Sequence, residues 1–103
     1  MSSINSIVSP IQATGSRIDF ASTSVLSSAY TNIVTMPSSA TFANIVHNGG
    51  GEFYLQVNST DVGFITPGMA SYIPMKLATG DTINIKSVSG TVSSGKLWVN
   101  LYK

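Results

Sequence analysis

Lys96-Leu97-Trp98-Val99-Asn100-Leu101-Tyr102 alternates at every step. Leu97, Val99 and Leu101 fall on one side and Trp98, Asn100 and Tyr102 on the other, because successive side chains of an extended chain point to opposite faces. Such a segment reads as a strand with one face in a core and the other turned outward. The same period governs Glu52-Phe53-Tyr54-Leu55-Gln56-Val57, where Phe53, Leu55 and Val57 share a side. It recurs in Asp81-Thr82-Ile83-Asn84-Ile85-Lys86, where Ile83 and Ile85 oppose Thr82, Asn84 and Lys86.

Working outward, β-like runs at 17–24, 28–36, 41–47, 62–65 and 70–77 join 52–57, 81–88 and 96–102. Turn formers separate them: Asn48-Gly49-Gly50-Gly51, Asn58-Ser59-Thr60-Asp61, Pro67-Gly68, Gly80-Asp81 and Ser89-Gly90. Seven to eight short strands at roughly ten-residue spacing predict an all-β fold, an antiparallel β-sandwich of jelly-roll-like form. Pro74 has no N–H for a sheet ladder, so 70–77 is expected at an edge or at a bulge. The triple glycine reads as a hairpin turn. A phosphate-binding loop needs a lysine and a helix behind it, and here Glu52 and a strand follow.

Residues 1–16 have a different texture, small and polar and broken by Pro10 and Gly15. Ile4, Ile7, Val8 and Ile11 sit at helical spacing, but Pro10 opposes a helix there. The segment reads as an extended N-terminal arm rather than a short helix, followed by a single domain over 17–103.

Composition narrows the function classes. The 103 residues hold 17 serines and 10 threonines against five Lys and Arg and four Asp and Glu, for a net charge of +1. Disorder goes with high net charge and few apolar residues, the reverse of this chain with its 43% hydrophobic content. Isolated basic residues (Arg17, Lys76, Lys86, Lys96, Lys103) do not make a nucleic-acid footprint. Cysteine is absent, which excludes disulfides and thiolate zinc sites. No run of about 18 apolar residues is present to span a membrane as a helix, and the first residues lack a signal peptide's basic and apolar regions. The expectation is a soluble product made in the cytoplasm, on which the Asn58-Ser59-Thr60 sequon stays unused.

Chemistry-bearing residues are few. His47 is the one histidine, no G-x-S-x-G elbow accompanies it, and it reads as a strand-end residue packing locally. A two-carboxylate glycosidase site could use Glu52 with Asp61 or Asp81, but without long loops to form a cleft solvated turn acids are the better reading. Neither H-x-x-x-H nor D-x-D-x-D-G occurs. The expectation is therefore no enzyme, no metal site and no cofactor. The outward residues carry more information: Tyr54, Tyr72, Trp98 and Tyr102 all lie opposite aliphatic neighbours. Tyr and Trp combine large apolar area with a polar tip, which favours a protein interface. Packing within the chain and a sugar-stacking platform are the alternatives. With Ile4, Ile7, Val8 and Ile11 of the arm, these four rings form the candidate interface.

From Ala43 onward the chain resembles a known pattern. Asn44-Ile45-Val46-His47-Asn48-Gly49 is similar to an inner strand closed by an Asn-Gly turn. Ile65-Thr66-Pro67-Gly68-Met69-Ala70 is similar to an L-x-P-G-x-S strand entry, and Thr79-Gly80-Asp81-Thr82-Ile83-Asn84-Ile85 to a G-D-x-I-x-x strand. Together they resemble the small jelly-roll-like decoration (cement) proteins and accessory virion proteins of tailed bacteriophages. The resemblance implies a viral structural protein on the capsid surface, made in the host cytoplasm. Its partners would be the major capsid protein and further copies of itself, as homodimer or homotrimer, with neither nucleic acid nor membrane. Its action would be to bridge capsid subunits against internal pressure. A tail or neck component and a carbohydrate-binding, receptor-attachment module are the alternatives. The scarcity of charge fits a surface meant to be covered, since an isolated domain of this size normally carries more charge for solubility.

Overall fold

Alternation in the sequence becomes alternation of burial in the computed structural model, which describes residues 12–73 and 75–103, the side chains of residues 12, 13, 71 and 72 excepted. Eight strands follow one another: β1 (Gln12–Asp19), β2 (Thr31–Thr35), β3 (Phe42–Asn48), β4 (Phe53–Val57), β5 (Thr60–Ile65), β6 (Ala70–Tyr72), β7 (Thr82–Ser87) and β8 (Lys96–Tyr102). No helix occurs among the described residues. In β8, Leu97, Val99 and Leu101 are buried, as are Ile83 and Ile85 in β7 and Phe53, Leu55 and Val57 in β4. The three stretches that alternate in the sequence are thus strands with the predicted faces inward.

The strands form two four-stranded antiparallel sheets, ordered β1-β8-β3-β6 and β2-β7-β4-β5. Four of the pairings are nested: β1 with β8, β2 with β7, β3 with β6 and β4 with β5. They describe one long antiparallel ribbon with the Asn58-Ser59 turn at its apex, where Val57 pairs with Thr60. Two further pairings, β3 with β8 and β4 with β7, close the folded ribbon into its sheets. The apolar faces of both sheets meet in one core cluster that includes Ile45, Val99, Phe53 and Ile85. This is the antiparallel sandwich expected from the strand count.

Three boundaries differ most from the sequence reading. Residues 12–16, assigned there to the arm, pair with β8: Thr14 lies opposite Leu101 and Ser16 opposite Val99. The end of run 17–24 is a turn, where Asp19 receives the amides of Ala21 on Oδ1 (3.0 Å) and of Ser22 and Thr23 on its carbonyl (3.1 and 3.0 Å). Carbonyl and side chain of one aspartate here compete with the sheet ladder and end the strand. Run 70–77 shortens to β6, which does lie at a sheet edge; Pro74 falls outside the described residues. The Gly49-Gly50-Gly51 turn is not a hairpin, because β3 and β4 belong to different sheets. It carries the chain across one end of the sandwich, with Gly49 and Gly50 at φ 95° and 106°.

That end is closed by aromatic rings. Phe20 and Phe53 lie 5.0 Å apart, and His47 stacks on Phe53 at 5.0 Å and 25°. Val25 and Val92, both buried, exchange backbone hydrogen bonds of 2.9 Å beside them.

Candidate functional site

Among the described residues no pocket is enclosed, and no three His, Cys, Asp or Glu side chains come together as a metal-holding group. His47 is fully buried, with Nε2 hydrogen-bonded to the Gly51 carbonyl and Nδ1 sealed without a partner. Because a carbonyl can only accept, this bond requires a proton on Nε2. Its ring packs between Phe53 and Phe20. Asp19, Asp61 and Asp81 are engaged in turns and surface bonds. Asp81 accepts the Ala78 amide (2.9 Å) and the Asn58 side-chain amide (3.2 Å), which hold its carboxyl below the ordinary range. Asp61 accepts the Tyr30 hydroxyl at 2.7 Å.

The candidate interface residues divide over the two outer faces of the sandwich. Trp98 and Tyr102 stand on the β1-β8-β3-β6 sheet, and Tyr54 on the β2-β7-β4-β5 sheet. Register places Tyr72 opposite Asn44, and so in the first sheet, with its side chain outside the described residues. Ile4, Ile7, Val8 and Ile11 also lie outside them.

On the first sheet, register aligns Arg17, Trp98, Val46 and Ala70 in one row across all four strands. The Arg17 guanidinium lies over the Trp98 indole, 5.7 Å from its centroid. Trp98 is 39% exposed, and Phe42, paired with Tyr102, is exposed to a similar degree. Between these rows Asn44 faces Asn100, and Asn44 Oδ1 is buried without a hydrogen bond. A planar apolar stripe edged by amides and one guanidinium is the composition that protein interfaces favour.

On the second outer face the polar side chains bond one another. An amide ladder crosses three strands: Asn32 Nδ2 donates to Asn84 Oδ1 (3.1 Å), and Asn84 Nδ2 to Gln56 Oε1 (3.0 Å). The Lys86 ammonium sits 4.8 Å from the Tyr30 ring centroid and 5.8 Å from that of Tyr54. Burial, reinforced by the hydrogen bond to Asp61 and its charge, pushes the Tyr30 hydroxyl pKa up to about 12. Phe64, opposite Tyr54, is the most exposed large apolar side chain among the described residues, at 54%.

Sequence reasoning missed Arg17, Tyr30, Phe42 and Phe64 as surface residues of interest. Phe42 was within reach of it, since it alternates with the buried Ala43 and Ile45. Phe64 was not: Gly63, at φ 148°, and the register shift at Leu55/Gln56 interrupt the alternation of β5.

In comparisons with protein-family models and with curated proteins, the chain matches none.

Proposed function

We propose that this protein is a decoration (cement) protein of a bacteriophage capsid, a jelly roll that binds the outer shell and bridges major capsid subunits. The observation that carries the reading is the Arg17–Trp98–Val46–Ala70 row, a weakly charged apolar stripe presented flat on a sheet. A shell-clamping protein works by adding contact area, and a flat face with an aromatic and an arginine supplies it. Strand order supports the jelly-roll part: eight strands in two sheets, formed by a folded ribbon with nested pairings, are what that topology requires. The resemblance of residues 43–103 to phage decoration proteins supports the capsid as partner. On this reading the molecule works through surface contact, without catalysis or cofactor, at the virion surface.

The receptor-attachment alternative places a sugar on Trp98, Tyr72 or Tyr102. Trp98 already carries a cation, Arg17, over one face, which favours a protein contact over a stacked sugar at that ring. A tail or neck position uses the same stripe, and immunogold labelling of virions separates it from the head.

The test is co-sedimentation of purified protein with expanded capsids, paired with heat challenge of virions with and without it. The proposal expects saturable binding, a higher disruption temperature in its presence, and loss of both in Val46→Asp. Absence of binding, or equal stability of the two virion preparations, refutes it.

A further inference from the structure

Of the four sheet edges, three are blunted. β6 has three residues, β2 breaks register between Asn32 and Val34, and β5 breaks it between Asp61 and Gly63. The fourth, β1, runs in unbroken register from Thr14 to Asp19; its single irregularity lies before that run, at Gln12/Thr14. Short strands, bulges, prolines and lysines are how proteins protect an edge from further pairing. From Thr14 to Asp19, β1 has no proline and no lysine.

The backbone of this edge is aimed outward. The Phe20 amide bonds the Gly95 carbonyl (3.0 Å), continuing the β1–β8 register. In an antiparallel ladder alternate residues bond the same neighbour, so Thr14, Ser16 and Ile18 turn their amides and carbonyls to β8. Gly15 and Arg17 turn theirs away, toward an edge that no strand occupies among the described residues. The bonds of β3 confirm the alternation across the sheet, since His47 and Ala43 bond the β6 side (2.8 and 2.9 Å). Thr14 and Ser16, on the inward side of β1, are nevertheless exposed, so the second sheet does not shield this stretch.

We infer that β1 pairs with β1 of a second copy of this chain, antiparallel about a two-fold axis through Ser16. An axis normal to the sheet requires a residue to face its own counterpart. Centring it on Ser16 sets Gly15 opposite the partner's Arg17 and Arg17 opposite the partner's Gly15. The four outward amides and carbonyls of each strand's Gly15 and Arg17 then bond one another. No like charges meet, because each Arg17 faces a glycine and stays free to cover its own Trp98. A centre on Arg17 would oppose two guanidiniums, one on Ile18 would call on the Asp19 carbonyl, which already accepts the Ser22 and Thr23 amides, and one on Gly15 would set Arg17 against residue 13, within the register shift between Gln12 and Thr14. The outcome is one continuous eight-stranded sheet with both Trp98 rows on the same outer face. This inference does not rest on the capsid reading: a Gly15→Pro monomer that still binds capsids overturns the pairing's role in binding and leaves that reading intact.

The full chain serves for the test, by light scattering over a concentration series and by cross-linking. The chain has no cysteine, so Ser16→Cys introduces a single thiol. Directly opposed residues of a non-hydrogen-bonded pair lie about 4.5 Å apart at Cα, within the range a disulfide spans. Ser16→Cys is expected to form a covalent dimer on mild oxidation, and Thr60→Cys, on another edge, is not. Gly15→Pro removes an amide that the β1–β8 ladder does not use and that faces no strand among the described residues, and proline is tolerated at such positions. It is expected to keep its circular dichroism and melting temperature at high dilution and to self-associate about 30-fold more weakly. A wild-type chain monomeric throughout the series overturns the inference. So does a wild-type dimer that Gly15→Pro leaves intact, or one that Ser16→Cys fails to cross-link.

Discussion

Gly95 meets Gly49 backbone to backbone: a Cβ added at 95 would fall inside the Gly49 carbonyl group. The two glycines let the entry to β8 pass against the turn leaving β3, at the end of the sandwich closed by Phe20, His47 and Phe53. Gly95 also holds φ 97°, where a side chain is strained.

Gly95→Ala is expected to destabilise the fold by more than about 3 kcal/mol, since backbone must move and strain is added. Gly80 has a similar φ, 91°, with open space around it. Gly80→Ala therefore incurs only the conformational term, about 1 kcal/mol. Urea unfolding of the two variants checks the difference, and equal midpoints would contradict the close approach.

His47 contributes both packing and a bond to Gly51, and two substitutions separate them. His47→Leu keeps apolar volume against Phe53 but leaves the Gly51 carbonyl unbonded, at about 1–2 kcal/mol. His47→Ala adds a cavity and is expected to lose about 3 kcal/mol or more. Chemical denaturation measures both, and a Leu variant as weak as Ala would assign the whole effect to the hydrogen bond.

The Asp81 carboxyl is held below its ordinary pKa, first by the Ala78 amide and then by Asn58. A depressed folded-state value means that the stabilisation is complete above the unfolded-state pKa. It is lost as pH falls through the folded value. Asp81→Asn is expected to flatten the acid limb of the stability profile. Thermal melts across the carboxylate range read this out, and an unchanged slope would show that Asp81 does not contribute there.

Tyr30 titrates in the opposite sense. Its folded-state pKa, raised to about 12 by burial and then by Asp61, means that folding retains a proton the unfolded chain releases earlier. Stability is therefore constant below the ordinary tyrosine pKa and falls as pH rises toward the folded value. Tyrosinate absorbance should show a late-ionising component that disappears in Tyr30→Phe. In Asp61→Asn the same ring should ionise earlier, because both the charge and the strong acceptor are gone.

Much of the fold was legible because the decisive strands carry their own period. Phe53, Leu55 and Val57, or Leu97, Val99 and Leu101, declare a buried face whatever they pair with. The start of β1 was not legible: Thr14, Gly15 and Ser16 carry no apolar alternation and are strand because β8 offers them a ladder. Nor does turn chemistry say which sheet the next strand joins, so Gly49-Gly50-Gly51 read as a hairpin and is a crossing. The candidate interface shows the same limit. Parity against the core correctly turned Tyr54 and Trp98 outward. Parity cannot say that one is on each side of the sandwich, because that depends on pairings between residues distant in the chain.

The place of β8 between β1 and β3 has a consequence during synthesis. Every other strand leaves the ribosome before residues 96–102, yet the first sheet lacks its central member until they emerge. The nascent chain can form the β4–β5 hairpin and add β7, but β1 must wait with no neighbour to pair with. Long-range pairing of this kind folds slowly. Emergence of residues 96–102 therefore sets the earliest moment at which the first sheet can close, and until then the strand that later offers Gly15 and Arg17 at an edge lacks its β8 neighbour as well.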